Sequence, residues 1–318
     1  MGIESHPLQT TFRPGDTSEL RNKEGRCRNC DRARKSGEQF MFCKGCKTAV
    51  YCSEQCQREH WKDHKDMCKF SRANAEILAS HPGAVAAPVA GMPDFIELQA
   101  LLRDFSETHR ASFQTMLLAK LFLDGGAEAI LAAGQKICIV PLKYREPGPD
   151  GVVNPALTFS YTKMVFLPLD RVLADPQGTH SRLVDGWNAS ASLRQRLRGS
   201  YAAEPGFIDV MPVMFSPQVG PTQMAYFPIY QMPGGVSREH YQGELELLSK
   251  FIEMGIVLRQ PRPDKAPVPG YMKDLGSGRK WEWRPLVNWD TNPEWKRTKT
   301  TKERVKLLQR KLAEARSA

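Results

Sequence analysis

Cys27-Arg28-Asn29-Cys30, Cys43-Lys44-Gly45-Cys46, Cys52-Ser53-Glu54-Gln55-Cys56 and His64-Lys65-Asp66-Met67-Cys68 place seven of the chain's eight cysteines and one histidine in a single short stretch. Thiolates and a neutral imidazole are the donors that zinc takes in a tetrahedron, and four pairs make two such sites. In the first two pairs, two intervening residues suit a tight turn that aims both thiolates at one ion, and Gly45 is free to adopt the positive φ such a turn often requires. In the last two pairs the partners lie four residues apart, on one face of a helix. Each site then joins one turn to one helical pair. Alternation along the chain, first pair with third and second with fourth, would interlock both sites in one module. Spacing alone leaves that pairing open, and it leaves His60 as a competitor to His64.

Other uses of these cysteines fit less well. A disulfide framework needs an oxidising compartment, whereas Met1-Gly2-Ile3-Glu4-Ser5-His6 begins a polar stretch without an apolar signal-peptide core. Redox C-x2-C motifs sit on the strand-to-helix turn of a thioredoxin-like unit, which two close copies followed by H-x3-C do not match. The eighth cysteine, in Ile137-Cys138-Ile139-Val140, reads as an inert buried thiol on a strand.

Tyr51-Cys52-Ser53-x2-Cys56-Gln57-x2-His60-Trp61-x2-His64-x3-Cys68, preceded by two C-x2-C pairs, closely resembles the MYND zinc finger. The resemblance implies two zinc ions in interleaved sites, Cys27, Cys30, Cys52 and Cys56 for one and Cys43, Cys46, His64 and Cys68 for the other, with His60 left out. It also implies a module that binds a protein partner through a short proline-containing peptide. Residues matching Gln57 and Trp61 contact the peptide in that family. These two are four residues apart and share a helical face. A tryptophan offers a flat surface for proline rings, and a glutamine can hold an extended backbone. Lys44 stands where a small polar residue contacts the peptide in a characterised relative, so the resemblance points to a different, acidic preference here.

The net charge is +10, unevenly spread. Residues 21–70 hold 13 Lys and Arg against 7 Asp and Glu, and residues 279–318 hold 12 against 5, so these two stretches carry +6 and +7 and the remainder of the chain carries −3. Seven thiolates and two Zn²⁺ together contribute about −3, so a loaded finger has roughly half the basicity its composition suggests. No apolar run approaches the roughly 20 residues of a membrane helix, and free thiols as ligands suit a reducing, intracellular setting, cytoplasmic or nuclear.

The expected fold is a small zinc-stabilised finger followed by an α+β domain. Residues 1–24 read as a disordered tail, 25–70 as the finger, 71–93 as an Ala-, Pro- and Gly-rich linker, 94–258 as the α+β domain and 259–318 as a Pro- and Trp-rich basic region ending in a helix. Periodicity predicts helices from Phe95 to Phe105 and from Phe113 to Phe122, and again over Ser190–Tyr201 and Gly243–Met254. Strands are expected over Lys136–Tyr144, Leu157–Leu167, Phe207–Phe215 and Met224–Gln231. Helices and strands in mixed order suggest an α+β layer fold. The run Phe105-Ser106-Glu107-Thr108-His109-Arg110 and the helix after it are similar to the region following MYND fingers in basidiomycete fungal proteins, a likeness that brings no activity with it.

No catalytic motif stands out. His109, His180 and His240 lack a nucleophile or carboxylate at a telling spacing, and phosphate-loop, nucleophile-elbow and H-E-x-x-H patterns are absent. MYND fingers also occur inserted in SET-domain lysine methyltransferases, but their Asn-His cofactor stretch and later zinc-ligating cysteines are missing. The chain is expected to be no enzyme. A rival to peptide capture is nucleic-acid or chromatin binding, since Trp281, Trp283, Trp289 and Trp295 alternate with cations that would neutralise phosphates. Against it, Trp281-Glu282-Trp283 reads as a strand with one buried face.

Overall fold

The computed structural model describes residues 27–30, 40–46, 49–80, 91–148, 151–174, 181–231, 235–259, 267–275, 281–287 and 291–317, and the statements below concern these. The expected tail 1–24, residues 81–90 of the expected linker, His180 and Trp289 lie outside them.

The finger contains a short antiparallel ribbon, β1 (Met41–Phe42) with β2 (Val50–Tyr51), and the 27-residue helix α1 (Glu54–Ser80). Ser53 starts α1, its Oγ accepting from the Cys56 amide at 3.2 Å, with Glu54 in the first turn against the helix's positive end. The helix runs through residues expected to be linker. Its last turns contain Ala73, Ala75, Glu76, Leu78 and Ala79, strong helix formers that no proline interrupts before Pro82.

Asp94 caps α2 (Phe95–Thr108), accepting from the Glu97 amide at 2.8 Å, and α3 (Arg110–Leu123) and α4 (Ala127–Ala132) follow. The central strand β3 (Lys136–Tyr144) pairs on one side with β4 (Phe159–Tyr161) and β5 (Val165–Pro168), both antiparallel. The single strand expected over Leu157–Leu167 is therefore two. Pro141 in β3 has no N–H to give the ladder, and its carbonyl takes the Thr162 hydroxyl at 3.1 Å instead. On its other side β3 runs parallel to β6 (Phe207–Pro217), which pairs antiparallel with β7 (Gln223–Tyr230). A parallel pair needs a crossover, and α5 (Leu169–Ala174), α6 (Ser181–Ala189) and α7 (Ala191–Tyr201) form it.

After β7 come α8 (Arg238–Met254), begun by a Ser237 cap before the expected Gly243 start, and β8 (Ile256–Arg259). With β9 (Val268–Asp274) and β10 (Trp281–Pro285), β8 forms a second, antiparallel sheet, and α9 (Pro293–Arg297) and α10 (Thr301–Ser317) close the chain. The boundary expected between 258 and 259 thus falls inside a strand. Val287, Leu308 and Leu312 are buried in the same core as Phe105, Phe113, Phe159, Phe215 and Phe251. The basic C-terminal region is part of the α+β domain, because the apolar stripe of α10 covers α8. Trp281 is buried and the Trp283 indole donates to the Val257 carbonyl at 3.1 Å, so neither ring is free to stack on a base.

His109 links α2 to α3. It is fully buried between the Phe105 and Phe113 rings, and its Nε2–H donates to the Ala156 carbonyl at 2.9 Å. Burial pushes its pKa down to about 4 against the pull of that carbonyl, and Arg259 nearby adds to the depression. The native state therefore holds a neutral ring where the unfolded chain takes a proton near pH 6.5. Its contribution to stability is full above about pH 6.5 and is lost as pH falls towards 4, by about 3 kcal/mol. Urea melts at pH 7 and pH 4 should show the wild type losing about that much more than His109→Gln, which keeps a donor for Ala156 but does not titrate. Equal losses would show that the ring is not held neutral.

Candidate metal centre

Each ligand pair is aimed by a different backbone device. The turn at Cys27–Cys30 is tied to β2 by the Arg28 amide on the Val50 carbonyl at 2.9 Å, and the turn at Cys43–Cys46 is closed by the Cys43 amide on the Ala49 carbonyl at 2.8 Å. Cys52 and Cys56 flank the start of α1, and His64 and Cys68 lie further along it. The folded chain groups Cys27, Cys30, Cys52 and Cys56 in one cluster and Cys43, Cys46, His64 and Cys68 in another, with the ligand atoms of each within 4.8 Å of one another. The pairing left open by spacing is the alternating one, and α1 contributes to both clusters.

The donor geometry fits zinc. A tetrahedral ion with Zn–S bonds of about 2.3 Å sets its sulfurs about 3.8 Å apart, and a sulfur and an imidazole nitrogen about 3.5 Å apart. Here Cys30 and Cys52 are 3.7 Å apart, Cys52 and Cys56 3.5 Å, and Cys43 and Cys68 3.8 Å. Cys46 Sγ lies 3.5 Å from His64 Nε2. Burial, and then the neighbouring Cys43 and Cys46, push the Cys68 thiol up to about 12, so a thiolate there needs a cation beside it. Burial and then Arg28 lower the His64 pKa, which favours the neutral ring a metal requires. The two clusters form the binding sites of two zinc ions.

Gly45 has a different reason from the one expected. It is not among the positive-φ glycines; a Cβ added there would stand 2.9 Å from Cys68 Sγ, and 3.7 Å from Cys43 Sγ. The turn excludes a side chain because the second cluster is packed against it.

His60 is not part of either cluster. Its Nδ1 meets the buried Tyr51 hydroxyl at 3.0 Å and its ring stacks on His64 with centroids 5.7 Å apart. Burial, followed by Arg196 and His64, pushes its pKa down to about 4. A neutral His60 thus braces the ligand His64 and the strand-borne Tyr51, a role that the sequence pattern did not reveal.

Gln57 is half-buried and Trp61 is 47% exposed, on the turn of α1 between the ligands Cys56 and His64. The opposite flank of α1 docks on the α+β domain. Ser192 Oγ donates to the Asp63 carbonyl at 2.8 Å, Arg196 lies 4.0 Å from the Asp63 carboxylate, and an added Cβ at Gly186 would meet the Phe70 ring at 3.2 Å. Asp63 and Phe70 lie seven residues apart, on one face of α1, a second contact face that the sequence reading did not single out. His109 and Cys138 are buried, the thiol pushed up to about 12 chiefly by burial, while His240 is exposed on the first turn of α8.

Residues 27–68 match the family model of the MYND finger. Tudor domain-containing protein 1 of Oryzias latipes is 62% identical over 34 residues, 10% of this chain and 3% of that protein. Histone-lysine N-methyltransferase SMYD3 of Homo sapiens is 48% identical over 40 residues, 13% of this chain and 9% of that protein. SET domain-containing protein 14 of Caenorhabditis elegans is 35% identical over 48 residues, 15% of this chain and 11% of that protein. The chain thus spans a small fraction of the length of these relatives. No solved structure matches it significantly. The chain carries an N-terminal MYND finger, a zinc-binding protein-interaction module, followed by a mixed helix and sheet domain. No helix among the described residues is long and apolar enough to cross a membrane.

Proposed function

We propose that the protein is an intracellular, non-enzymatic adaptor whose MYND finger captures a proline-containing peptide of a protein partner on Gln57 and Trp61. The observation that carries this reading is the exposure of Trp61, a large ring left outside the finger's core on a helix turn pinned by metal ligands at both ends. A rigid aromatic surface loses little entropy on contact with proline rings, themselves already ordered. The second domain holds α1 by Asp63 and Phe70, on the flank away from Trp61, which stays exposed. Methyl transfer, suggested by the name of SMYD3, has support only from a short match, and His109, at the junction of α2 and α3, is sealed in the core. Nucleic-acid binding through stacked tryptophans loses Trp281 and Trp283 to packing.

Replacing Trp61 by Ala should abolish partner capture in a pull-down while leaving two bound zincs and an unchanged circular-dichroism spectrum. Loss of zinc along with binding would show the ring to be structural, and undiminished capture would place the peptide elsewhere.

A further inference from the structure

We infer that the captured peptide carries an acidic segment, of aspartate, glutamate or phosphorylated residues, directly beside its proline motif, and that this segment lies along α1. The inference rests on the reading of Gln57 and Trp61 as the anchor. Arg58, Lys62, Lys65, Lys69 and Arg72 follow one another at steps of four, three, four and three residues, which sets all five on one face of the helix, and all five are exposed. Arg58 is paired with Glu54 at 3.2 Å. Lys62, Lys65, Lys69 and Arg72 have no ion pair among the described residues, though Asp66 and Glu76 border the row.

The row continues the peptide's path. Trp61 lies along its edge, next to Lys62 and one turn from Lys65. At the far end the Arg72 stem reaches the second zinc turn, where a Cβ at Gly45 would meet its Cδ at 3.6 Å, beside the exposed Lys44. From Lys62 to Arg72 the row is about 15 Å long, the span of about five residues of an extended peptide. Its opposite flank is the one docked on α6 and α7, so the row faces solvent. A straight single file of cations with one aromatic at its head suits a strand that is anchored once and then held by charge. A nucleic-acid strand gains most from successive stacking surfaces, and Trp61 supplies only one.

The test uses the zinc-loaded full chain and three fluorescent peptides that share one proline-rich core, selected on the wild type from a random library with prolines held constant. The peptides differ in carrying five glutamates, five glutamines or five lysines beside the core. Replacing Lys62, Lys65, Lys69 and Arg72 together by Gln should weaken the glutamate peptide about tenfold at low salt and leave the glutamine peptide unchanged, with zinc content and circular dichroism as in the wild type. The lysine peptide should bind the wild type more weakly than the glutamine one. Equal losses for the glutamate and glutamine peptides, or none, overturn the inference, as does a single-stranded oligonucleotide that outcompetes the glutamate peptide for the row. A proline-free glutamate peptide that binds through the row and ignores Trp61→Ala would sink the proline-anchor reading while supporting the row's acidic preference.

Discussion

Chelating zinc from the full chain is expected to abolish amide protection across residues 27–68 while the α+β domain keeps its cooperative unfolding transition. Among the described residues the buried cluster of the finger consists of Cys27, Phe40, Cys43, Cys46, Ala49, Val50, Tyr51 and Cys68, so half of these are the ligands themselves. Burying Phe40, Val50 and Tyr51 contributes roughly 2 kcal/mol each, against an ordering cost of about 1–2 kcal/mol for every residue held in place. Only the metal closes that gap, at roughly 10 kcal/mol or more per site. Two equivalents of zinc by elemental analysis, then loss of helix signal and of hydrogen-exchange protection in the finger on chelation, are the expected results. The domain transition should shift only slightly, since among the described residues the polar ties that α1 loses there are one hydrogen bond from Ser192 and a long ion pair to Arg196, beside packing such as the Phe70 contact. Persistent protection of the finger after chelation would contradict its dependence on metal. Collapse of the whole chain would show that the docking of α1 is a mainstay of the larger domain.

Truncation after Arg259 is expected to leave a chain without a cooperative unfolding transition, although the removed part looks like a basic appendage in the sequence. It removes β9 and β10, strips the partner strand from β8, and uncovers the faces of α8 that α10 covers. The subtler form of the same experiment is Leu308→Ala. Leu308 is fully buried, and a buried Leu-to-Ala change costs about 3–4 kcal/mol, a large part of a domain's usual 5–15 kcal/mol. Urea melts of the variant should show the midpoint falling with an unchanged slope. A loss under about 1 kcal/mol would mean that α10 is dispensable to the core.

Zinc chemistry was legible without a structure because it is local. A thiolate or imidazole announces its own use, and pair spacing distinguishes a turn from a helix within five residues. Helices α2, α3 and α7 were legible for a similar reason, since caps such as Asp94 and an apolar repeat act over one or two turns. Which turn joins which helical pair could be narrowed by the sequence but not proved. The reason for Gly45 belongs to tertiary structure: its missing side chain answers to Cys68, whose thiolate arrives from a later helix. The same holds for the split of one expected strand into β4 and β5, decided by a proline in their shared partner, and for the membership of Leu308 and Leu312 in the main core. Burial depends on what arrives from elsewhere in the chain. An amphipathic stripe declares that it must be covered, but the covering surface, α8 for the C-terminal helix and α6 with α7 for the finger, is set only when the chain closes on itself.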